Sequence, residues 1–297
     1  LKKEKNMAVY NLENAQLGIC VDSFGAELKS LKKLASNVEY MWDANPEYWK
    51  RTSPVLFPIV GSLNNGCYHY DGKEYPMSQH GFARDMEFSL LRQTENELLF
   101  GLQSNDETKT KYPFDFALEL GYKLCENNLV VSWKVLNCDS KEMYFSIGGH
   151  PAFLCPIEGE DTQTECKLLF DAKDKITSAV IGAGGTLSQR TKDFQLKDGL
   201  MDITADLFDE DALIIEHNQA HKVSLCDKEG QPYLTVRFDA PLFGVWSPAK
   251  KNAPFICIEP WYGRCDKADF QGELSEREWG NRLAPSEAFY AEYTITV

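Results

Sequence analysis

Along most of this chain apolar and polar residues alternate, and the alternation breaks at clusters of glycine, asparagine and aspartate. A period of two puts every other side chain on one face of an extended strand, so such a chain must build half-buried sheets joined by tight turns. Runs at 15–22 and 26–34 read as the first strands, although the second also fits a short helix. Asn45-Pro46-Glu47-Tyr48-Trp49 reads as a single helical turn, with asparagine at its start and proline at the first helical position. Residues 55–60 form a buried-looking run, and 67–70 and 73–75 flank Asp71-Gly72, the dipeptide of a type I′ hairpin. A meander follows at 87–91, 98–103, 114–124 and 129–135, with 143–147 after it. Residues 158–202 carry little pattern; Ile181-Gly182-Ala183-Gly184-Gly185 reads as a loop tip and 206–208 as one helical turn. Strands resume at 212–216, 222–226, 233–238, 242–246, 255–259 and 289–297.

About fifteen to twenty short strands without long helices exclude a parallel α/β sheet, which needs a helix between successive strands. No fixed-period repeat points to a propeller. The expectation is all-β, one domain over residues 7–297 with large antiparallel sheets packed face to face. Residues 1–6 are polar and lysine-rich and read as a flexible leader or expression remnant.

A net charge of −14 and the lack of any Lys/Arg run argue against nucleic acid or an anionic membrane as partner. No apolar run reaches the length of a membrane span. Nine cysteines, an odd number with no C-x-x-C pair, fit neither a disulfide framework nor a zinc site. A reducing, cytoplasmic setting follows.

Three stretches carry candidate chemistry. Cys257-Ile258-Glu259-Pro260-Trp261-Tyr262-Gly263 sets one carboxylate in an apolar run, where it is either salt-bridged or a working base. Gly148-Gly149-His150-Pro151-Ala152-Phe153 frames an imidazole between residues that constrain its backbone. Gln79-His80-Gly81-Phe82-Ala83-Arg84-Asp85 adds a second histidine and an arginine that either bridges Asp85 or offers its fork to a ligand; Arg51 poses the same choice. His69, His217 and His221 read as ordinary surface or strand residues. Nucleophile-elbow, P-loop and dinucleotide fingerprints are absent, and metal ligation by His80, His150 and Glu259 lacks the paired spacing that supplies two ligands from one element.

Taken in order, Arg51 with Ser53-Pro54-Val55-Leu56-Phe57-Pro58, the hairpin into His80-Gly81-Phe82-Ala83-Arg84, Gly149-His150-Pro151-Ala152-Phe153 and Cys257-Ile258-Glu259-Pro260-Trp261 resemble the aldose 1-epimerase (galactose mutarotase) family. The resemblance is closest to the mutarotase-related branch of lactose operons and its hexose-6-phosphate epimerase relatives. It implies a β-supersandwich that binds a monosaccharide or sugar phosphate, as monomer or homodimer, with no metal or organic cofactor. By the same resemblance Glu259 is the general base, His150 the general acid, and His80 holds the substrate and polarises its ring oxygen. Arg51 and Arg84 fall where phosphate-binding arginines sit, and Asp211 matches a carboxylate that grips hydroxyls. On their own chemistry Trp246, Trp261 and Tyr262 either offer apolar surface to a sugar or are core aromatics of the sandwich. One departure separates the chain from galactose mutarotases proper: Gly61-Ser62-Leu63-Asn64-Asn65 stands where they carry an asparagine-arginine pair. The expected activity is interconversion of α and β anomers of an aldohexose or related sugar; the alternatives are a non-catalytic sugar binder or sensor on the same fold, or a hexose-6-phosphate 1-epimerase. A hydrolase or lyase would need paired carboxylates or a metal site.

Overall fold

The computed structural model describes residues 8–157 and 162–297; the expected leader, residues 1–6, lies outside them. Antiparallel sheet dominates. The larger sheet has nine strands, in the order Leu200–Asp202, Lys167–Phe170, Lys222–Cys226, Pro232–Phe238, Ala288–Thr296, Asn128–Asn137, Phe116–Cys125, Glu97–Gln103 and Ser89–Gln93. The second runs Leu187–Gln195, Lys175–Ile181, Leu213–Ile215, Leu242–Trp246, Phe255–Tyr262, Ile147–Gly149 and Val55–Leu56, with Ala152–Leu154 also on Phe255–Tyr262. A four-stranded sheet, Val9–Glu13, Leu17–Asp22, Glu27–Lys33 and Val38–Glu39, and two strand pairs complete the set.

Burial follows the pattern that the alternation dictates. In Asn128–Asn137 every second residue is buried, and Leu129, Val131, Trp133 and Val135 face a core shared with Phe243, Val245, Ile256 and Ile258 of the second sheet. Phe170 and Phe238 reach Phe243 across the sandwich, with ring centroids 6.3 and 5.0 Å apart. The second sheet differs because its central strands are covered on both faces. Phe255–Tyr262 is buried throughout save for half-buried Tyr262. Its inward residues join the main core, while its outward residues join two small clusters, one around Trp261 and Cys265 and the other around Phe255 and Cys257. Glu259, on the outward face, lies between those clusters in sequence and belongs to neither.

The structure settles some of these expectations and adds to others. The ambiguous 26–34 run is a strand, Glu27–Lys33, and a strand at Val9–Glu13 precedes those expected. The poorly patterned middle holds four strands, Lys167–Phe170, Lys175–Ile181, Leu187–Gln195 and Leu200–Asp202. Leu187–Gln195 is the sheet's outer strand and is mostly exposed, so it needs no alternation. Asp106–Lys111 forms a helix capped by Asn105, whose Oδ1 accepts the Thr108 N–H at 2.9 Å while Thr108 Oγ1 accepts the Asn105 N–H at 2.9 Å. At 45–49 the chain makes a hydrogen-bonded turn, with the Tyr48 and Trp49 N–H groups both donating to Asn45 O at 3.1 Å. No disulfide joins the described cysteines, and no helix of the described residues is long and apolar enough to cross a membrane.

Candidate active site

The outward face of the second sheet holds a cavity of about 530 Å³ lined by His80, His150 and Glu259, together with Arg84, Asp211 and Trp246. Strand register explains why the first three meet. Gly148 pairs with Trp261 and Ala152 with Cys257, so the same antiparallel register, carried across the break between Ile147–Gly149 and Ala152–Leu154, sets position 150 opposite position 259. Pro151 sits in that break. His150 Nε2 and Glu259 Oε2 are 3.3 Å apart. On its other side Glu259 faces Gly244, which has no side chain to fill the cavity.

Glycine does a second job here. A Cβ on Gly244 would come within 2.5 Å of the Trp261 ring, and one on Gly148 within 2.6 Å of its Cδ1. The indole lies flat on the sheet because both neighbours are bare, and it forms the floor beside Glu259.

His80 arrives from the expected hairpin, Cys67–Tyr70 and Lys73–Pro76. Its N–H donates to Gly61 O at 3.0 Å, and the Gly61 N–H donates to its Nδ1 at 3.1 Å. With Nδ1 accepting, the ring proton of neutral His80 sits on Nε2, leaving it as a donor. The His80 and His150 rings meet edge to face at 5.5 Å. Trp49 stacks on His150 at 4.7 Å and 27°, and Trp246 meets it edge-on at 5.5 Å.

Burial sets the electrostatics. It pushes His80 well below the usual imidazole range, helped by His150, Arg84 and Arg51. His150 is lowered to about 3 by burial and then by Arg84. Glu259 is raised well above the ordinary carboxylate range by burial and by the charge of Asp211, with the Trp261 indole acting the other way. A 3.3 Å contact would ordinarily favour an ion pair; desolvation outweighs it and favours neutral partners.

Among the described residues five buried side-chain N or O atoms find no hydrogen-bond partner in the protein, and four belong to this cavity: Arg84 Nε, His150 Nδ1, Glu259 Oε2 and Trp261 Nε1. Unpaired polar atoms gathered around one hollow leave hydrogen-bonding capacity in its wall for water or a polar ligand.

Arg84 Nη2 donates to Gln79 O at 2.6 Å, and its Nε makes a long ion pair with Asp85 Oδ2 at 3.9 Å without a hydrogen bond, so Arg84 both approaches Asp85 and lines the cavity. Arg51 does not line the cavity; its Nη2 donates to Asp85 Oδ1 at 2.9 Å, so the bridging alternative holds for it. Asp211 stands exposed at the rim with a positive φ of 74°. Trp49, Gln79, Lys251 and Cys265 also line the cavity and were not singled out from sequence; Trp49 had a signal, an aromatic two residues before Arg51. Tyr262, offered as sugar surface, is not among the lining residues. One group of potential metal ligands occurs among the described residues: His150, Cys257 and Glu259, with ligand atoms within 4.8 Å of one another. Burial holds the Cys257 thiol protonated.

Comparison with known proteins agrees with this architecture. Protein LacX of Lactococcus lactis subsp. lactis, plasmid form, is 30% identical over 295 residues, covering 96% of this chain and 98% of that protein. A galactose mutarotase related enzyme from Lactobacillus acidophilus superposes with a TM-score of 0.91 at 35% identity, over 97% of each chain. A galactose mutarotase-like protein from Lactobacillus casei gives 0.90 at 30% identity, over 97% of this chain and 99% of that one. The aldose 1-epimerase family model matches residues 8–278, and the chain belongs to the aldose 1-epimerase family.

Proposed function

We propose that the protein interconverts the α and β anomers of an uncharged aldohexose or similar aldose by acid–base ring opening. The observation that supports this best is the His150–Glu259 pair at 3.3 Å, set in a cavity whose orphaned polar atoms await a polyhydroxylated guest. The pair holds one proton. Burial keeps it on Glu259; sugar hydroxyls entering the contact shift it to His150, leaving carboxylate toward the anomeric hydroxyl and imidazolium toward the ring oxygen. Glu259 then takes the anomeric proton, whose bonding pair becomes the C1=O1 double bond. The C1–O5 bond breaks and its electron pair on O5 takes the proton of His150. Rotation about C1–C2 and the reverse steps close the other anomer, and the protein's proton count is unchanged throughout. The opposed shifts invert the usual order of carboxyl and imidazole, so the hydroxyls of the bound sugar have to favour the charged form of the pair before the exchange can start.

His80 Nε2–H steadies charge on the ring oxygen, Trp246 and Trp261 support apolar sugar faces, and Asp211 grips hydroxyls at the rim. The uncharged substrate is favoured because Arg51 is held by Asp85 and Asp211 adds negative charge at the rim. The orphaned Nε of Arg84 favours a second reading, a 6-phosphorylated hexose. NMR of freshly dissolved α-anomers, free and 6-phosphorylated, decides between them. Exchange of the free sugar no faster than in buffer, with saturable binding, would instead make the protein a sugar binder or sensor without turnover.

A further inference from the structure

A second and larger cavity, about 880 Å³, opens beside the first around Glu216, His217, Arg264 and Trp279. One small apolar cluster walls both: Ile214, Trp261 and Cys265 on the side of the first, Ala179, Leu187 and Trp279 on the side of the second. Consecutive residues divide the work, Cys265 facing one cavity and Arg264 the other.

Arg264, Glu216, Lys267 and Glu278 satisfy one another in the second cavity, and exposed Arg190 at its edge pairs with Glu210. Glu216 Oε1 accepts from Arg264 Nε and from Trp279 Nε1, each at 2.7 Å. Glu278 accepts from Arg264 Nη2 and from Lys267 Nζ. An anion entering here would have to displace carboxylates already in place, so a phosphate gains little. What the protein leaves for a guest is the half-buried Trp279 indole, the exposed His217 imidazole with its ring centre 5.2 Å away, and the carboxylates of Glu216 and Glu278. Both aromatic residues hold left-handed backbone, φ 61° at Trp279 and 68° at His217. Bulky side chains rarely adopt it, and where they do the surroundings over-determine it. An aromatic platform fixed by a hydrogen bond, carboxylate acceptors and balanced charge suit a guest with apolar C–H faces and many uncharged hydroxyls.

We propose that the Trp279–His217 cavity is a second carbohydrate site, which takes an uncharged sugar ring against Trp279 with its hydroxyls on Glu216 and Glu278. It does not depend on turnover at Glu259.

The test is ¹⁹F NMR of the full chain labelled with 5-fluorotryptophan, with the Trp279 resonance assigned by Trp279→Phe and titrated with glucose, galactose, lactose and inorganic phosphate. The expected result is a saturable Trp279 shift with at least one sugar, at a midpoint different from that of Trp246. It persists in Glu259→Gln and weakens about tenfold in His217→Ala, with the fold of that variant checked by its circular dichroism spectrum. A Trp279 resonance unmoved at the highest soluble sugar concentration overturns the proposal, as does one moved by phosphate alone. So does a shift that survives His217→Ala at full strength, or one that follows the Trp246 midpoint for every sugar and vanishes in Trp246→Ala, which would report a single site.

Discussion

The two cavities on the outward face handle buried charge in opposite ways. Around Glu259 charge is suppressed: burial drives two imidazoles down and a carboxyl up, and four polar atoms are left without partners. Around Arg264 charge is retained: burial pulls the guanidinium down, but the hydrogen bond and charge of Glu216 outweigh it and raise the group overall. Unmet polar demand marks the place where chemistry on a guest can occur, whereas met demand leaves a cavity that can hold a guest without acting on it. Fold stability and catalysis should therefore separate between the two.

The largest effect should come from Glu259→Gln. We expect kcat for anomer exchange to fall by about 10² to 10⁴ with an unchanged circular dichroism spectrum. At pH 8 its melting temperature should equal or exceed that of the wild type, because the amide needs no proton to be buried. Full exchange activity in this variant would remove Glu259 from the mechanism.

Arg264→Ala should do the reverse at the second cavity. Removing the cation strands Glu216 without its 2.7 Å partner, and urea denaturation should show a loss of about 3–5 kcal/mol. A loss under 1 kcal/mol would show that this cluster is solvated and that the contrast between the cavities is false.

How far each region could be read from sequence follows the same division. Alternation at 129–135 led directly to a strand because every second residue there enters the core. His80, His150 and Glu259 were suspect because each sat in apolar or conformationally restricted company, and burial is what perturbs them. Leu187–Gln195 gave no signal, since an exposed outer strand needs no buried face. Asp106–Lys111 was missed because six polar residues show no helical periodicity; only Asn105 ahead of Asp106-Glu107 hints at a cap. The Glu216–Arg264–Trp279 cluster was invisible for a different reason: its members come from distant loops, and each alone looks like ordinary surface.

Smaller effects sharpen the comparison. Gly244→Ala should push the Trp261 indole off the sheet, since the added carbon would lie 2.5 Å from it. We expect a stability loss of about 1–3 kcal/mol and a roughly tenfold fall in kcat/KM for exchange; wild-type kinetics would show that the ring position does not matter. The smallest effect concerns pH. His150 is depressed from 6.5 to about 3, so below pH 6.5 the unfolded chain binds a proton that the folded one refuses, and stability is lost as pH falls toward the folded value. Between pH 6.5 and 5, His150→Asn should lose about 1–2 kcal/mol less than the wild type by chemical denaturation. Parallel curves would mean that His150 is not held neutral.

Strand Phe255–Tyr262 has no idle side. Ile256 and Ile258 grip the sandwich interior while Glu259 and Trp261 serve the hollow behind it. A designer who swaps either isoleucine for a bulkier residue, hoping only to toughen the protein, will also tilt the backbone that aims the carboxyl. Hardening this molecule by repacking beneath that strand and retuning its turnover are, mechanically, a single operation.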